Sequence, residues 1–484
     1  MALTTLIFSD IHLTTAEPVD SQWPLWKRYK QEDLFVDASI ERMLADARHR
    51  AAGPMELVLN GDIFDFDAVT ELPLRRTFPI TVLEELRGLG PTEPKSQFKI
   101  ERILDDHPVF LRALREWVLA GHDLVFVTGN HDLELYWPSV QTAIIERLHL
   151  GDATARVRFC EWFYKSGDDT LVEHGNQYDS YCVSLDPVSP TIQILDDERV
   201  RLPFGSYAAR ALTNGMGMVN PHADSAWILS FAEWLVFYWQ QVIRVQPLLP
   251  ITWMWSSFLA LVLSIRDGLE PAVRDVLRLE DLVDDIALRA RATPRTVRGL
   301  RELRAHAAFF TPWRIFRELW LDRLTLFVAL AFGSFQVLAT AKVFFDLSVW
   351  WWLALLAVLF PPFLSYARGV QSEANAFDRY VARRIDLIAS VAGVSRVVFG
   401  HTHYEKHVHI GDVEILNPGT WSPAFEDAAC TRPHGRKCVV WIRPTEDGPR
   451  TASVQVWLDP GWVPLPADDA PRPIPLATLP HVLT

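Results

Sequence analysis

The residues best suited to chemistry in this sequence come in five short groups. Asp10 and His12 are one residue apart, Asp62 follows Gly61, and Asn130, His131 and Asp132 are consecutive. His174 precedes Gly175, and Thr402 separates His401 from His403. Carboxylates, imidazoles and an amide oxygen are the donors that two divalent cations about 3.5–4 Å apart require. One ligand must touch both ions, and a carboxylate with two oxygens can do so. Asp62 is the best bridge, because Gly61 allows a tight turn close to the site. In extended backbone, Asp10 and His12 at i, i+2 would lie on one side and face one ion. His401 and His403, spaced alike, could contact one ion each. His174 and Asn130 complete the set, Asn130 as a neutral oxygen donor that moderates the ligand charge. His131 would then face a substrate, where an imidazole titrating near neutrality can protonate a leaving alkoxide.

Taken singly, each group has an ordinary reading as a turn, a surface loop or chance. Their placement argues otherwise. Each closes a short apolar run: Leu3 to Phe8, Met55 to Leu59, Leu124 to Val127, Thr170 to Val172 and Arg396 to Phe399. A sixth run, Val413 to Leu416, ends in Asn417-Pro418-Gly419-Thr420. Such runs read as buried strands. Amphipathic patterns over Asp33–Arg48 and Pro108–Leu119 predict helices between them, which makes the chain α/β. Ligand sites in such sheets lie beyond the carboxyl ends of the strands, where all five groups fall.

Asp10-x-His12, Gly61-Asp62-x-x-Asp65, Gly129-Asn130-His131-Asp132, His174-Gly175 and Gly400-His401-Thr402-His403 together resemble the calcineurin-like metallophosphoesterase superfamily. The resemblance covers residues 1–180 and 370–425. It implies a four-layer α/β/β/α sandwich with two central mixed sheets. By motif position it implies one ion on Asp10, His12, Asp62 and His403, and a second on Asp62, Asn130, His174 and His401. It makes His131 the proton donor and Asp132 the residue that orients it. The mixed donor set suits Mn, Fe, Zn or Co. The mechanism to expect is in-line attack on phosphorus by a water activated between the ions, with His131 protonating the leaving group. His174-Gly175-Asn176-Gln177-Tyr178-Asp179 is similar to the branch containing the UDP-2,3-diacylglucosamine pyrophosphohydrolases. Those enzymes carry Arg where this chain has His131, and many members of the superfamily have His where Asn176 stands.

Lys27, Arg28 and Lys30 follow the first group, and Arg75 and Arg76 follow the second. They are candidates to bind a second phosphate or a lipid head group; the alternative is a solvated face. Asp65 and Asp67 are candidates to orient ligands from behind.

A length of 484 residues exceeds one comfortable core. The reading divides it into a first catalytic part (1–200), a helical hydrophobic insertion (201–370), a second catalytic part (371–459) and a Pro-rich tail (460–484). Within the insertion, Trp227–Ile243, Leu248–Ile265, Leu324–Phe345 and Leu347–Tyr366 are apolar and aromatic, and the last has no charge. About 20 such residues span a bilayer as a helix, with aromatics such as Trp350 to Trp352 and Tyr366 near the ends. Arg-rich flanks on both sides suggest cytoplasmic loops. Motifs lie before and after the insertion, so the spans must be even in number: two hairpins, or one hairpin and an interfacial pair. A soluble cap of buried aromatic helices is the alternative.

The N-terminus carries no secretory pattern, which puts the expected catalytic part at the cytoplasmic face of the cell membrane. The four cysteines form no CxxC pair and are expected to be reduced. A net charge of −13 gives a nucleic-acid partner no electrostatic support. The expected function is hydrolysis of a phosphoester or phosphodiester at a membrane, lipid-linked substrates included. A tethered hydrolase of soluble phosphodiesters or nucleotides, and a non-catalytic scaffold on the same fold, are the alternatives.

Overall fold

The computed structural model describes residues 3–22, 24–194, 197–215, 217, 239, 243, 248–270, 276–345, 347–348, 350–370, 376–425, 427, 429–433, 435–446 and 448–465. Most of the apolar segment Trp227–Ile243 and the tail beyond residue 465 lie outside them. The strands are, in chain order, β1 Thr4–Phe8, β2 Met55–Asn60, β3 Asp123–Val127, β4 Val157–Cys160, β5 Phe163–Ser166, β6 Thr170–Glu173, β7 Thr191–Ile194, β8 Asp197–Val200, β9 Arg396–Val398, β10 Glu405–Ile410, β11 Val413–Pro418, β12 Cys438–Arg443, β13 Thr451–Trp457 and β14 Trp462–Pro464. The helices are α1 Asp37–His49, α2 Val82–Arg87, α3 Glu93–Asp106, α4 Pro108–Leu119, α5 Pro138–Leu148, α6 Phe204–Ala211, α7 Leu249–Leu269, α8 Val276–Arg289, α9 Pro294–Glu302, α10 Pro312–Glu318, α11 Leu321–Phe344, α12 Trp351–Gly369, α13 Phe377–Ala382 and α14 Ile385–Ala392.

One sheet runs β14-β13-β12-β1-β2-β3-β4, and a second runs β10-β11-β9-β6-β5. In the first, β1, β2, β3 and β4 are parallel. In the second, β6, β9 and β11 are parallel. The chain is thus a mixed α/β protein with parallel strands at the centre of both sheets.

Successive side chains on a strand point to opposite faces, and here both faces are covered. On β1, Leu6 and Phe8 join Leu57, Leu59, Leu124 and Phe126 against Leu44 of α1, Ile103 of α3 and Trp117 of α4. Ile7, Val58 and Val125 point the other way and meet Tyr164, Val172, Val398 and Leu416 of the second sheet. The far face of that sheet, with Leu171, Val397 and Ile415, packs on Ile286 of α8, Leu300 of α9 and Ile388 of α14. This two-sided burial is why these strands read as unbroken apolar runs rather than alternating ones. The helices match by spacing: Ile40, Met43, Leu44 and Ala47 form one buried stripe on α1. α4 starts on Pro108, whose fixed φ and missing N–H suit a first helical position.

The region read as one hydrophobic insertion is not uniform. α6 packs on α7, α8 and α9 cover the second sheet, and α10 leads into a hairpin of α11 and α12. That hairpin leaves Phe327, Phe332, Phe335 and Phe344 of α11 and Trp351 and Val358 of α12 exposed. Leu321–Phe344 is long and apolar enough to cross a membrane, while the apolar stretch Trp351–Ala367 is shorter. At 1.5 Å per residue, α11 is about 36 Å long. Leu347 and Ser348, expected inside the second apolar helix, precede it instead. The Trp352 indole donates to Ser334 Oγ at 3.0 Å, so a polar group among apolar neighbours finds a partner across the hairpin.

Candidate metal centre

The expectation that Asp10 and His12 share a side of extended backbone is corrected by the structure. Asp10 (φ 54°), His12 (φ 53°), Asp62 (φ 51°), His401 (φ 67°) and His403 (φ 58°) all lie in the left-handed region. Such residues cost about 1–3 kcal/mol each and persist only where surroundings over-determine them. Here the surroundings are backbone hydrogen bonds between loops. Asp10 N donates to Gly61 O, and the amides of Ile11 and His12 both donate to Asp62 O. The Asp10 carbonyl accepts from Trp421 N, Ser422 N and Thr420 Oγ1. Gly400 N donates to His174 O, joining the second sheet's two loops.

These turns gather the side chains into two groups that could hold metal ions: Asp10, His12 and His403, and Asp62, His174 and His401. In the first, His12 Nε2 lies 3.2 Å from His403 Nε2, which lies 3.3 Å from Asp10 Oδ1. In the second, His174 Nε2 faces Asp62 Oδ2 at 3.1 Å. Its other nitrogen, Nδ1, is 3.0 Å from the Asn60 carbonyl, which can only accept. Nδ1 therefore carries the proton, and Nε2 turns a lone pair toward a carboxylate. Two lone pairs at that distance repel unless a proton or a cation lies between them. The two facing Nε2 atoms of His12 and His403 make the same demand. Asn130 Oδ1 is buried with no hydrogen-bond partner among the described residues, an orphaned acceptor that a cation would satisfy. The donors present therefore fit divalent cations.

Asp62 stands between the groups, with Oδ2 3.1 Å from His174 Nε2 and 3.9 Å from His12 Nε2. Its Oδ1 accepts from His131 N at 2.8 Å. Oδ2 is thus the Asp62 oxygen that faces both groups. Gly61 and Gly129 make room for this carboxylate and its neighbours. A Cβ on Gly61 would lie 2.5 Å from the His174 ring, at a φ of 79° that side chains rarely adopt. A Cβ on Gly129 would strike Asp62 Oδ1 and lie 2.5 Å from Asp62 N.

Burial pushes the Asp62 carboxyl up, but His174, His131 and His12 outweigh it and hold the pKa well below the carboxylate range. Burial works against charge on His174 as well, yet Asp62 and Asp10 raise its pKa to about 9. His131 follows the same pattern: burial lowers it, and Asp62, Asp65 and Asp67 carry it well above the ordinary imidazole value. A proton on His174 Nε2 would thus take the place of a cation beside Asp62.

His131 Nδ1 lies 3.4 Å from Asp65 Oδ1 and 3.6 Å from Asp67 Oδ2. Asp132, expected to orient His131, instead accepts from Ile63 N at 2.8 Å and Gly129 N at 2.6 Å. An adjacent side chain on the chain does not reach back to its neighbour here; Asp132 ties the third loop to the second. Burial, then Asp62, pushes its carboxyl up to about 7.

Four of the five basic candidates have partners within the protein. Arg28 is held by Asp33 at 2.6 Å and Gln31 at 2.8 Å. Lys30 is buried and donates to Ala68 O, and Lys27 lies 3.4 Å from Glu17. Arg76 pairs with Glu85, and Arg75 is exposed. Lys27, Arg28 and Arg76 thus each meet a carboxylate of the protein.

Other contributors had a weaker signal in the sequence. Asn417 Nδ2 donates to Gly400 O at 2.7 Å and to Thr402 Oγ1 at 3.1 Å, so the sixth run braces the loop of His401 and His403. Ser206 of α6 donates to the Asn130 carbonyl at 3.2 Å, placing the start of the insertion on the rim. Asp179 Oδ2 lies 3.0 Å from His401 Nε2.

No family model matches the chain, and no curated protein matches it. The class its own geometry defines is a mixed α/β protein whose two sheets bring His and Asp groups able to hold metal ions to one rim.

Proposed function

We propose that this protein is a dinuclear metal-dependent phosphoesterase of the calcineurin-like type, its paired sheets and outer helices forming that superfamily's four-layer α/β/β/α sandwich. The observation that carries this reading is the pair of His/Asp groups meeting at Asp62. One ion would rest on Asp10, His12, Asp62 and His403, and the other on Asp62, Asn130, His174 and His401. Two divalent cations there, Mn, Fe, Zn or Co, supply positive charge for phosphoryl oxygens and lower the pKa of a water.

The chain's own residues do the rest. The left-handed turns and cross-loop hydrogen bonds hold the donors in place before a substrate arrives. The Asn60 carbonyl keeps the His174 ring in one orientation. His131, partly exposed, holds a proton beside Asp65 and Asp67. With Nδ1–H facing those carboxylates, Nε2–H gives its own proton to the leaving oxygen and the ring is left neutral.

The exposed apolar hairpin of α11 and α12 supports action at a membrane; the side proposed for the catalytic part is the cytoplasmic one. The substrate is then a phosphoester or phosphodiester, lipid-linked ones included. A second reading is a tethered hydrolase of soluble phosphodiesters; Lys27, Arg28 and Arg76, candidates for a lipid head group, are paired with Glu17, Asp33 and Glu85 instead. Metal analysis of the purified full chain, with turnover of bis(nitrophenyl) phosphate and of detergent-dispersed phospholipids, tests both. Two ions per chain are expected, with metal and turnover lost together in Asp62→Ala. Full activity in that variant would overturn the proposal, and equal use of soluble diesters would favour the second reading.

A further inference from the structure

The loop that follows His174 reaches the other histidine of the same group. Tyr178 N donates to Gly175 O and Asp179 N to Asn176 O, so the chain turns at once after the ligand. Cys182 N and Val183 N close on the Asp179 carbonyl, and Tyr181 N donates to Asp179 Oδ1 at 2.8 Å. From outside, Ala305 N and Ala308 N bind the carbonyls of Gln177 and Ser180. The Asp179 side chain, 13% exposed, is thus set in one direction with Oδ2 left for His401 Nε2 at 3.0 Å. The Phe377 ring stands edge-on to the same imidazole, 5.9 Å away.

We propose that Asp179 is a positioning residue for His401: its carboxylate accepts the hydrogen bond of Nε2–H, so that Nδ1 is the nitrogen that would be offered to an ion shared with Asp62 and His174. The inference rests on the dinuclear reading above. A carboxylate on the far nitrogen fixes the tautomer and ring orientation and makes the near nitrogen a better donor. The loop then couples two ligands of one ion, since the residues that carry His174 also aim His401. The other ion would rest on a different group, Asp10, His12 and His403.

The experiment is calorimetric titration of the metal-free full chain with Mn2+ at one pH, comparing wild type, Asp179→Asn, Asp179→Glu, His401→Gln and the double variant D179N/H401Q. Asn keeps an oxygen for Tyr181 N. In Asp179→Asn, one of two binding events should weaken about 10–100-fold while the other and the metal-free melting temperature stay unchanged. Asp179→Glu should recover part of the loss, and D179N should add nothing once His401 is absent. Unchanged affinities, equal weakening of both events, or the same loss in the His401→Gln background would overturn the proposal. So would the disappearance of a third ion, which would make Asp179, Cys182 and His401 a separate metal site. Wild type failing to bind two ions would overturn the dinuclear reading itself, and no result at Asp179 mimics that.

Discussion

A carboxylate flanked by imidazole nitrogens needs positive charge between them, and at Asp62 the charge is either a proton or a metal. The sign of the pH dependence follows. His174 stands at about 9 in the metal-free protein against an ordinary 6.5, because Asp62 and Asp10 outweigh burial. A raised pKa contributes stability that is full below pH 6.5 and lost as pH rises through 9. The melting temperature with chelator should fall across that window, while the stabilisation conferred by Mn2+ grows; melts that run parallel would contradict this. His131→Gln should lower turnover about 10²–10⁴-fold with metal content intact, and less with a nitrophenyl leaving group that needs little proton help. Gly61→Ala puts a methyl against the His174 ring at positive φ and should destabilise the fold by about 1–3 kcal/mol, read by denaturant melts. These residues were legible because ligand chemistry restricts types to His, Asp and Asn. The conformation was not legible: extended strands continue into left-handed turns only because other loops supply the hydrogen bonds.

The strands were legible as apolar runs, and their two-sided burial explains why. Leu59 on β2 lies in the core between sheet and helices. Leu59→Ala should cost about 2–5 kcal/mol in a urea titration, and a cost near zero would mean that the layer repacks freely. The helices of the insertion were legible as apolar stretches, but their destinations were not. Hydropathy treats a helix that packs and one that stands out alike. α8 and α9 cover a sheet, while α11 and α12 keep their apolar side chains exposed. Lysine at Phe332 and Val337 should release the protein from liposomes of phosphatidylcholine without changing turnover of a soluble diester; full retention would count against a membrane role for the hairpin.

Across the whole molecule the candidate centre straddles the two sheets. Asp10, Asp62 and Asn130 follow strands of the first, and His174, His401 and His403 follow strands of the second. Ions held there would clamp the sheets together, so removing them should weaken the molecule rather than one loop. A cation at about 100 times its Kd stabilises the fold by about 2.7 kcal/mol. Chelator should therefore lower the cooperative melting transition of wild type and leave that of Asp62→Ala where it is; equal shifts in both would show that the chelator acts elsewhere.

The sequence by itself determined the donor set, the strands that end in it and the apolar character of the insertion. Each depends on residue type and on spacing within a few positions, which the chain carries locally. The tertiary structure decided that one oxygen of Asp62 faces both groups. It also decided that Asp65 and Asp67 flank His131 while Asp132 braces the loops, and that Asp179 meets His401. It turned Lys27, Arg28 and Arg76 toward acids of the protein itself. These are contacts between segments up to hundreds of residues apart, and the packing of two sheets against each other, rather than local spacing, sets which atoms meet.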